Sequence, residues 1–198
     1  NPLPGIEIDY FIPKGFDTLD VKISVLKNDV VIRKFENKKD TTKFKTWQGG
    51  PLENKYLKPK YGFNRFNWDF RREPFSGIDK VFVYGSYKSG LVSPGDYKIK
   101  MNIGDKEYQN SFFIEPDPNF NFKPSEYSEQ DKLLLSIEKN IRDLNMTVTK
   151  ARKIKVQLEN DIKKMDKKED LSDLIEMAKK IILQIDEWEQ KLIQPKQK

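Results

Sequence analysis

The chain contains no cysteine and no histidine among its 198 residues. Without cysteine it can form neither a disulfide framework nor a thiolate metal site or nucleophile. Without histidine it lacks the commonest general base and the commonest metal ligand. Most nucleophilic triads are thereby excluded, although hydrolases that use carboxylates alone are not. Because no spacing of the carboxylates marks an acid and a nucleophile either, we expect no catalytic residue, no metal and no cofactor in this chain.

Long apolar runs are absent too. No apolar stretch approaches the roughly 18 residues that a membrane-spanning helix needs. No signal peptide is present, and the chain opens at "NPLPGIEIDY" without Met. We expect no membrane insertion, and we interpret the sequence as a piece of a longer polypeptide that is truncated at its C-terminus.

Glycine and proline are scarce in the second part of the chain. All ten glycines and ten of the eleven prolines precede Ser125, and the remaining proline is Pro195. These residues punctuate strands and turns, and their absence permits long helices. The composition predicts a β-rich domain over residues 1–118, a proline-rich linker over 119–127 with Ser125 or Ser128 as helix cap, and a helical domain over 128–194.

The charge is unevenly spread. The net charge is +6, which invites a nucleic-acid hypothesis. Residues 126–198, however, carry 16 basic and 15 acidic side chains, so most of the excess lies in residues 1–125. The basic residues there concentrate at 33–45 and 55–60, in stretches that resemble solvated loops. We expect no nucleic-acid partner.

The first part alternates apolar and polar residues with the period of a β-strand. Clear examples are "GIEIDYFIP" (5–13), "DVKISVLK" (20–27) and "FNRFNWDF" (63–70). "KND" (27–29) predicts a tight turn into a strand at 30–35, and further strands are expected at 80–85 and around a Gly-Asp hairpin at 104–105. About seven short strands predict an antiparallel β-sandwich of the immunoglobulin or fibronectin-III type.

Four aromatic side chains are assigned to the structural core of that sandwich: Phe66, Trp68, Phe70 and Tyr97. Phe66, Trp68 and Phe70 share one face of a strand, and the polar residues between them form its solvated face. Trp68 beside Asp69 could also form a sugar site, with a stacking ring next to a polar group. The strand alternation favours the core.

The second part carries two apolar seams with the 3-4 spacing of helices. They predict helices over about 128–165 and 171–193, joined by the polar "DKKED" (166–170) into a long antiparallel α-helical hairpin. The first helix is the longer, so part of its seam lacks a partner, and an exposed apolar stripe indicates docking. The predicted docking seam comprises Leu134, Ile137, Ile141, Leu144, Val148, Leu158 and Ile162.

A long loop is predicted between residues 36 and 61. Trp47, Tyr56 and Tyr61 in it are candidate ligand contacts, because loops often carry function. They could form a carbohydrate-binding lip over 44–61, or simply hold the loop down. Several nearby carboxylates could be considered for catalysis, but no spacing marks an acid and a nucleophile among them. They are Asp69, Glu73, Asp79, Glu115 and Asp117.

Several stretches together resemble a known family. They are "IDYFIP", "VKISVLKNDVVIRKF", "GFNRFNWDFR", "VSPGDYKIKMNIGDKEYQNSFFIEPDPN" and "WEQKLIQPKQK". In this order they resemble the C-terminal region of large secreted bacterial β-propeller proteins with Asp-box or sortilin-like repeats, often labelled glycosyl hydrolases. The β-rich half is also similar to immunoglobulin-like domains of flagellar hook-capping proteins and to sorting-type domains of secreted bacterial proteins.

The resemblance implies an accessory role. In such families this region carries no assigned catalytic residue, and the propeller is absent from this sequence. We expect a non-catalytic interaction module of a secreted or cell-surface protein, which docks through its helical seam onto parent-chain domains or another protein. The alternative is a carbohydrate-binding accessory domain that binds polysaccharide through the 44–61 loop. A third reading is an enzyme fragment that completes a neighbouring active site.

Overall fold

A computed structural model describes residues 4–16, 19–38, 50, 56–165 and 171–193. Over these residues the fold is α+β, as the sequence predicts, with six strands followed by two helices. The elements are β1 (Ile6–Ile12), β2 (Val21–Lys27), β3 (Val30–Glu36), β4 (Gly62–Trp68), β5 (Gly95–Ile103), β6 (Lys106–Ile114), α1 (Pro124–Met165) and α2 (Ser172–Leu192).

The strands form two antiparallel sheets that share one core. The smaller sheet has the order β1-β4 and the larger one β3-β2-β5-β6. β1 pairs with β4 along its whole length, from Ile6 opposite Trp68 to Ile12 opposite Gly62. Both sheets contribute side chains to the core, as in a β-sandwich. The buried core residues are Ile12, Val21, Ile23, Val25, Phe35, Leu57, Trp68, Val92, Tyr97 and Ile103.

The turn between β2 and β3 has the geometry of a two-residue hairpin. Asn28 and Asp29 have φ angles of 52° and 61°. Positive φ at both central residues defines a type I′ turn, whose twist matches that of the flanking strands. Asn and Asp tolerate this conformation better than other residues that have a side chain. The turn predicted at 27–29 is therefore confirmed.

The strand predicted over residues 63–70 ends early. β4 stops at Trp68, and Phe70 has a φ of 58°, outside the range of a strand. The chain bends there because Phe70 and Arg71 pair with a later segment. The Val92 amide donates to the Phe70 carbonyl at 2.8 Å, and Arg71 forms a bridge with Leu91. Phe70 therefore lies outside the predicted strand, although its ring still packs against the core beside Trp68.

No strand forms at residues 80–85, so the prediction of a strand there is wrong, and the described residues contain six strands. Tyr84 is 99% exposed at the tip of this segment. The segment before it is held by other contacts, since the Phe75 amide donates to the Tyr87 carbonyl at 2.8 Å.

Helix α1 begins at Pro124, inside the predicted linker. Proline suits the first helical position because an N–H there has no partner within the helix. The Glu126 carboxylate accepts a hydrogen bond from the Lys123 amide at 2.6 Å, as in a capping box. Ser125 and Ser128 lie within the helix and Lys123 precedes it, so the prediction that Ser125 or Ser128 caps the helix is wrong.

Candidate functional site

Ion pairs join the start of α1 to the β-sandwich. Arg72, four residues after β4, places its guanidinium against Asp131 and Glu138 of α1. Arg72 and Glu138 are buried. The Glu138 carboxylate also accepts a hydrogen bond from the Gly90 amide at 2.9 Å. This face of α1 is charged, yet it is covered by the loops of the sandwich.

Asp131 is the centre of this arrangement. Its Oδ2 accepts hydrogen bonds from Lys27 Nζ at 2.8 Å and Ser93 Oγ at 2.9 Å, while Oδ1 accepts from Arg72. Burial raises the pKa of this carboxyl. The hydrogen bonds from Lys27 and Ser93 and the charge of Arg72 outweigh that effect, so the pKa of Asp131 lies below its ordinary value. Asp131 is therefore ionised at neutral pH and bridges β2, the 89–94 segment and α1.

One helical turn beyond Glu138, Arg142 makes the next contact. Its guanidinium donates to the carbonyls of Glu73 and Pro74 at 2.7 and 3.2 Å and lies 5.1 Å from the centre of the Phe75 ring. These contacts combine charge-assisted hydrogen bonds with a cation–π interaction. We use the name polar junction for Lys27, Arg72, Asp131, Glu138 and Arg142.

Further along, α1 contacts α2 through two ion pairs. Arg152 Nε lies 3.0 Å from Glu189 Oε1, and Lys155 Nζ lies 2.6 Å from Asp186 Oδ1. Arg152 also donates to the Asp79 carbonyl. The hydrogen bond to Glu189 raises the pKa of Arg152. Arg152 thus links both helices to the 74–80 segment.

The predicted docking seam divides into covered and exposed positions. Val148 is fully buried, and four others are half-buried, namely Leu134, Ile141, Leu158 and Ile162. Ile137 and Leu144 are 45% and 37% exposed, and Leu133, which the predicted seam omits, is 63% exposed. Positions 133, 137 and 144 share one side of α1, because they are four and eleven residues apart. We name Leu133, Ile137 and Leu144 the exposed stripe.

The three candidate ligand contacts do not form one site in the described residues. Trp47 lies outside them. Tyr56 is 37% exposed, with the Lys58 ammonium 5.2 Å from its ring centre. Tyr61 instead joins a cluster with Phe11 and Phe63, with centroid distances from Phe11 of 6.5 Å to Tyr61 and 5.2 Å to Phe63. All three rings of this aromatic cluster are exposed.

The rings assigned to the core lie in it or against it. Trp68 and Tyr97 are fully buried, and Phe66 and Phe70 are half-buried against them. Trp68 Nε1 donates to the Arg71 carbonyl at 2.8 Å, and the Tyr97 hydroxyl donates to the Ser93 carbonyl at 2.5 Å. Trp68 is therefore not exposed above a cleft.

Two of the carboxylates considered for catalysis, Glu73 and Asp117, make contacts that stabilise the local structure. Glu73 accepts a hydrogen bond from the Lys34 amide at 2.6 Å and lies 3.4 Å from the Arg33 guanidinium. Asp117 accepts one from the Asn119 amide at 2.9 Å and so closes a turn. Over the described ranges, no three Asp or Glu side chains are grouped to hold a metal ion. No helix in the same ranges is long and apolar enough to cross a bilayer.

The sequence alone does not predict the polar junction. Its helical members, Asp131, Glu138 and Arg142, are seven and four residues apart, which places them on one face of α1. That spacing is the signal in the sequence. Their partner Arg72 lies 59 and 66 positions from Asp131 and Glu138, and no local pattern predicts that pairing.

Comparison with known proteins adds no relative. No family model, no curated protein and no solved structure matches the chain. The resemblance to secreted β-propeller proteins therefore has no support from these comparisons.

Proposed function

We propose that this chain is a non-catalytic interaction module, in which a β-sandwich holds a long helix in a fixed orientation so that its exposed stripe binds another polypeptide segment. The observation that carries the proposal is the polar junction. It fixes α1 to the sandwich at Asp131, Glu138 and Arg142, while apolar side chains of the same helical segment remain exposed.

The sandwich is proposed to be immunoglobulin-like. The order β3-β2-β5-β6 corresponds to strands C′-C-F-G of such domains, and β1-β4 to strands B and E. β5 then takes the place of strand F. Tyr97 near its start donates to a carbonyl four residues upstream, which is the contact of a tyrosine corner.

The helices are proposed to form an antiparallel hairpin. Two ion pairs join the helices, Arg152 with Glu189 and Lys155 with Asp186. Between the first pair and the second, the residue number rises by three on α1 and falls by three on α2, as it does in antiparallel helices. Extending this pairing three residues the other way places Leu192, the last residue of α2, beside Thr149. The segment of α1 before Thr149 therefore has no partner from α2 in this arrangement.

That unpartnered segment carries the exposed stripe. Leu133, Ile137 and Leu144 expose apolar area on a helix of 42 residues, or about 63 Å. Apolar side chains aligned on one helix face are typical of helix-in-groove recognition. We propose that the stripe contacts another domain of the parent chain or a separate protein.

The test uses a photo-crosslinking amino acid in a longer protein that contains this chain, in the cells that produce it. Benzoylphenylalanine replaces Ile137 in one variant and Leu135 in the matched control. Leu135 is similarly exposed, at 49% against 45%, but points about 160° away around the helix. We expect an adduct from position 137 and little from position 135.

Mass spectrometry of the adduct then identifies the segment that was captured. A crosslink within the same polypeptide places the stripe against a parent domain, and a crosslink to a second polypeptide identifies a separate partner. Equal yields from both positions, or no adduct from either, would contradict docking through the stripe.

The parent protein and its location are also proposals. The resemblance in the sequence suggests a secreted or cell-surface protein with a β-propeller. The accessory role is proposed because Glu73 and Asp117, two of the carboxylates considered for catalysis, accept hydrogen bonds from backbone amides and so act in local structure.

A second candidate function is carbohydrate binding, which the aromatic cluster favours. Tyr61 is one of the ligand contacts proposed from sequence, and it lies beside Phe11, which also contacts the 87% exposed Phe63. The Phe11 ring is inclined by 68° to Tyr61 and by 71° to Phe63, so the rings form no shared flat platform for an extended sugar chain. Docking through the stripe is therefore the first proposal.

Affinity electrophoresis tests this second function. If it holds, a gel that contains a bound polysaccharide retards the chain, and Tyr61→Ala, Phe63→Ala and Trp47→Ala weaken that retardation without loss of structure. Tyr84→Ala, at a 99% exposed position of another loop, is the control. Retardation that is unchanged in all variants would exclude the cluster.

A further inference from the structure

The two sheets differ in width, and this leaves a strand position open. The larger sheet has four strands and the sheet that faces it has two. β1 pairs with β4 on one side and β6 pairs with β5 on one side, so each has a free edge in the part of the chain that the structure describes. Such an edge presents a row of unpaired backbone N–H and C=O groups.

A groove of about 400 Å³ lies between these two edges. Its floor comes from the inner face of the larger sheet, and its walls come from β1 and β6. The apolar side chains that line it include Ile8, Ile23, Ile99, Met101, Tyr108 and Phe112. Ile99 and Met101 are only half-buried although they face the core side of β5, because the smaller sheet does not extend over them.

The position of the groove corresponds to one strand. In immunoglobulin-type sandwiches, strand A pairs with the edge of strand B that strand E leaves free. β1 takes the place of strand B in the correspondence proposed above, and the groove follows its free edge. The narrower second sheet and the apolar lining of the groove also indicate room for one more strand, independently of the immunoglobulin correspondence.

The charges beside the free edge of β1 indicate which kind of segment would bind there. On the outer face of β1, Glu7 and Asp9 both pair with one cation, Arg65 of β4, at 2.8 and 2.7 Å. Two carboxylates share one positive charge, so the outer face next to the free edge carries an excess of negative charge. Basic residues on the outer face of an added strand would be directly opposite or diagonal to them.

We propose that the free edge of β1 binds an extended peptide segment by β-strand addition. The segment alternates apolar residues, which enter the groove over Ile99 and Met101, with basic residues, which face outward beside Glu7 and Asp9. Backbone hydrogen bonds to β1 supply affinity, and the alternating side chains supply specificity, as in other strand-addition complexes. This site shares no residue with the exposed stripe of α1, so either proposal can fail without the other.

The test uses the acetylated and amidated peptide Lys-Ile-Lys-Val-Lys-Ile-Lys, which matches the length of β1, and the intact chain. Fluorescence anisotropy of a labelled form measures binding, and hydrogen exchange by NMR measures protection of the β1 amides. We expect saturable binding, and slower exchange at alternate amides of Ile6–Ile12, because alternate residues of a strand direct their N–H groups to the same edge.

Backbone methylation separates strand addition from simple adhesion of apolar side chains. One analogue is N-methylated at its apolar residues and the other at its lysines. When the apolar side chains face inward, the N–H groups of either the apolar residues or the lysines point at β1, and those of the other set point away. We therefore expect one methylated analogue to bind at least about tenfold more weakly and the other to bind nearly normally. Equal affinity of both analogues and the parent peptide would overturn the proposal.

Charge and groove are tested separately. A peptide with Glu in place of Lys should bind several-fold more weakly, with a difference that shrinks at high salt. Met101→Arg should block the groove, whereas Met146→Arg, at an exposed position of α1, should not. If Met101→Arg fails to fold, the methylated peptides still decide the question. Absence of any protection along β1 at saturating peptide would overturn the proposal.

Discussion

Arg72 Nη1 lies 3.4 Å from Glu138 Oε1, and both side chains are less than a tenth exposed. The two residues belong to different parts of the molecule: Arg72 lies four residues after β4, and Glu138 lies two turns beyond Asp131 in α1. Burying charges is costly unless they are paired and hydrogen-bonded, and here Glu138 is also bonded to the Gly90 amide. We infer that this buried, hydrogen-bonded pair fixes the orientation of α1 relative to the sandwich.

The first prediction concerns this pair. Arg72→Met keeps a side chain of similar length but leaves Asp131 and Glu138 without their shared cation. Breaking a buried pair on one side costs about 3–5 kcal/mol, because the remaining charge is uncompensated. We expect a loss of that order in the free energy of unfolding, measured by urea denaturation with circular dichroism.

The matched control for Arg72 is Arg65→Met. Arg65 also pairs with two carboxylates, Glu7 and Asp9, but all three side chains are more than half exposed. Exposed ion pairs contribute little because water and salt screen them. We expect its midpoint to stay close to that of the unmodified chain. Equal losses for the two variants would show that the polar junction does not hold α1 in place.

The second prediction concerns pH. Burial raises the pKa of Asp131, but hydrogen bonds from Lys27 and Ser93 and the charge of Arg72 bring it below its ordinary value of 3.8. Because the pKa in the folded state is lower than in the unfolded state, the ionised carboxylate stabilises the fold above pH 3.8. That contribution is lost as the pH falls through the folded-state pKa.

Asp131→Asn should therefore be less stable than the unmodified chain at neutral pH, and the difference should shrink as the pH falls below about 3.8. Urea denaturation at a series of pH values measures it. Asp105→Asn, in the exposed turn between β5 and β6, is the control, and its difference should stay small throughout. A difference for Asp131→Asn that is constant with pH would contradict this role.

Local patterns in the sequence predict much of the fold. The alternation of Ile6, Ile8, Tyr10 and Ile12 corresponds to the inward face of β1, on which the first three residues are half-buried and Ile12 is buried. The polar stretch after residue 165 separates two helices whose bounds are close to those predicted. These features depend on side-chain periodicity over a few residues, which is present in the sequence itself.

Features that depend on distant partners could not be predicted. Residues 80–85 have the β-branched and aromatic composition of a strand, but a strand needs an edge to pair with. The flanking residues contact α1 instead, where Asn145 and Arg152 donate to the carbonyls of Ser76 and Asp79. In the same way, the charged residues that α1 contributes to the polar junction have the pattern of a solvated helix face. Only the structure shows that they pack against Arg72, which is distant in the sequence.

The third prediction concerns Trp68. Its ring contacts Phe70, Tyr97 and Phe112 edge to face at centroid distances of 5.6 to 6.3 Å, and it is fully buried. Trp68→Ala removes this packing and the Nε1 hydrogen bond to the Arg71 carbonyl, at a cost of about 3–5 kcal/mol. Urea denaturation measures it.

Phe63→Ala, also in β4, is the matched control for Trp68. Phe63 is 87% exposed, and we expect its replacement to change the free energy of unfolding by no more than about 0.5 kcal/mol. If Trp68→Ala were as mild as Phe63→Ala, the indole would not be a support of the core, and a role in binding would have to be reconsidered.

The fourth prediction concerns Gly5, where the backbone enters β1. Gly5 has a φ of +127°, and a Cβ built on it would lie 2.0 Å from the Trp68 carbonyl oxygen. Gly15 also has a positive φ, +85°, but a Cβ there would meet nothing within 4 Å. The two positions therefore share the backbone strain that alanine would introduce, and differ in the clash with backbone.

Gly5→Ala should consequently be the more destabilising change. Alanine at a positive φ costs about 1–3 kcal/mol at either position, and at Gly5 the clash must also be relieved by moving β1 away from the end of β4. Denaturation should show a lower midpoint for Gly5→Ala than for Gly15→Ala, and amide exchange should be faster at Ile6 and Trp68, which pair at that end. If Gly15→Ala were equally destabilising, conformational strain alone would explain both losses, and the close approach of Gly5 to Trp68 would have no energetic consequence.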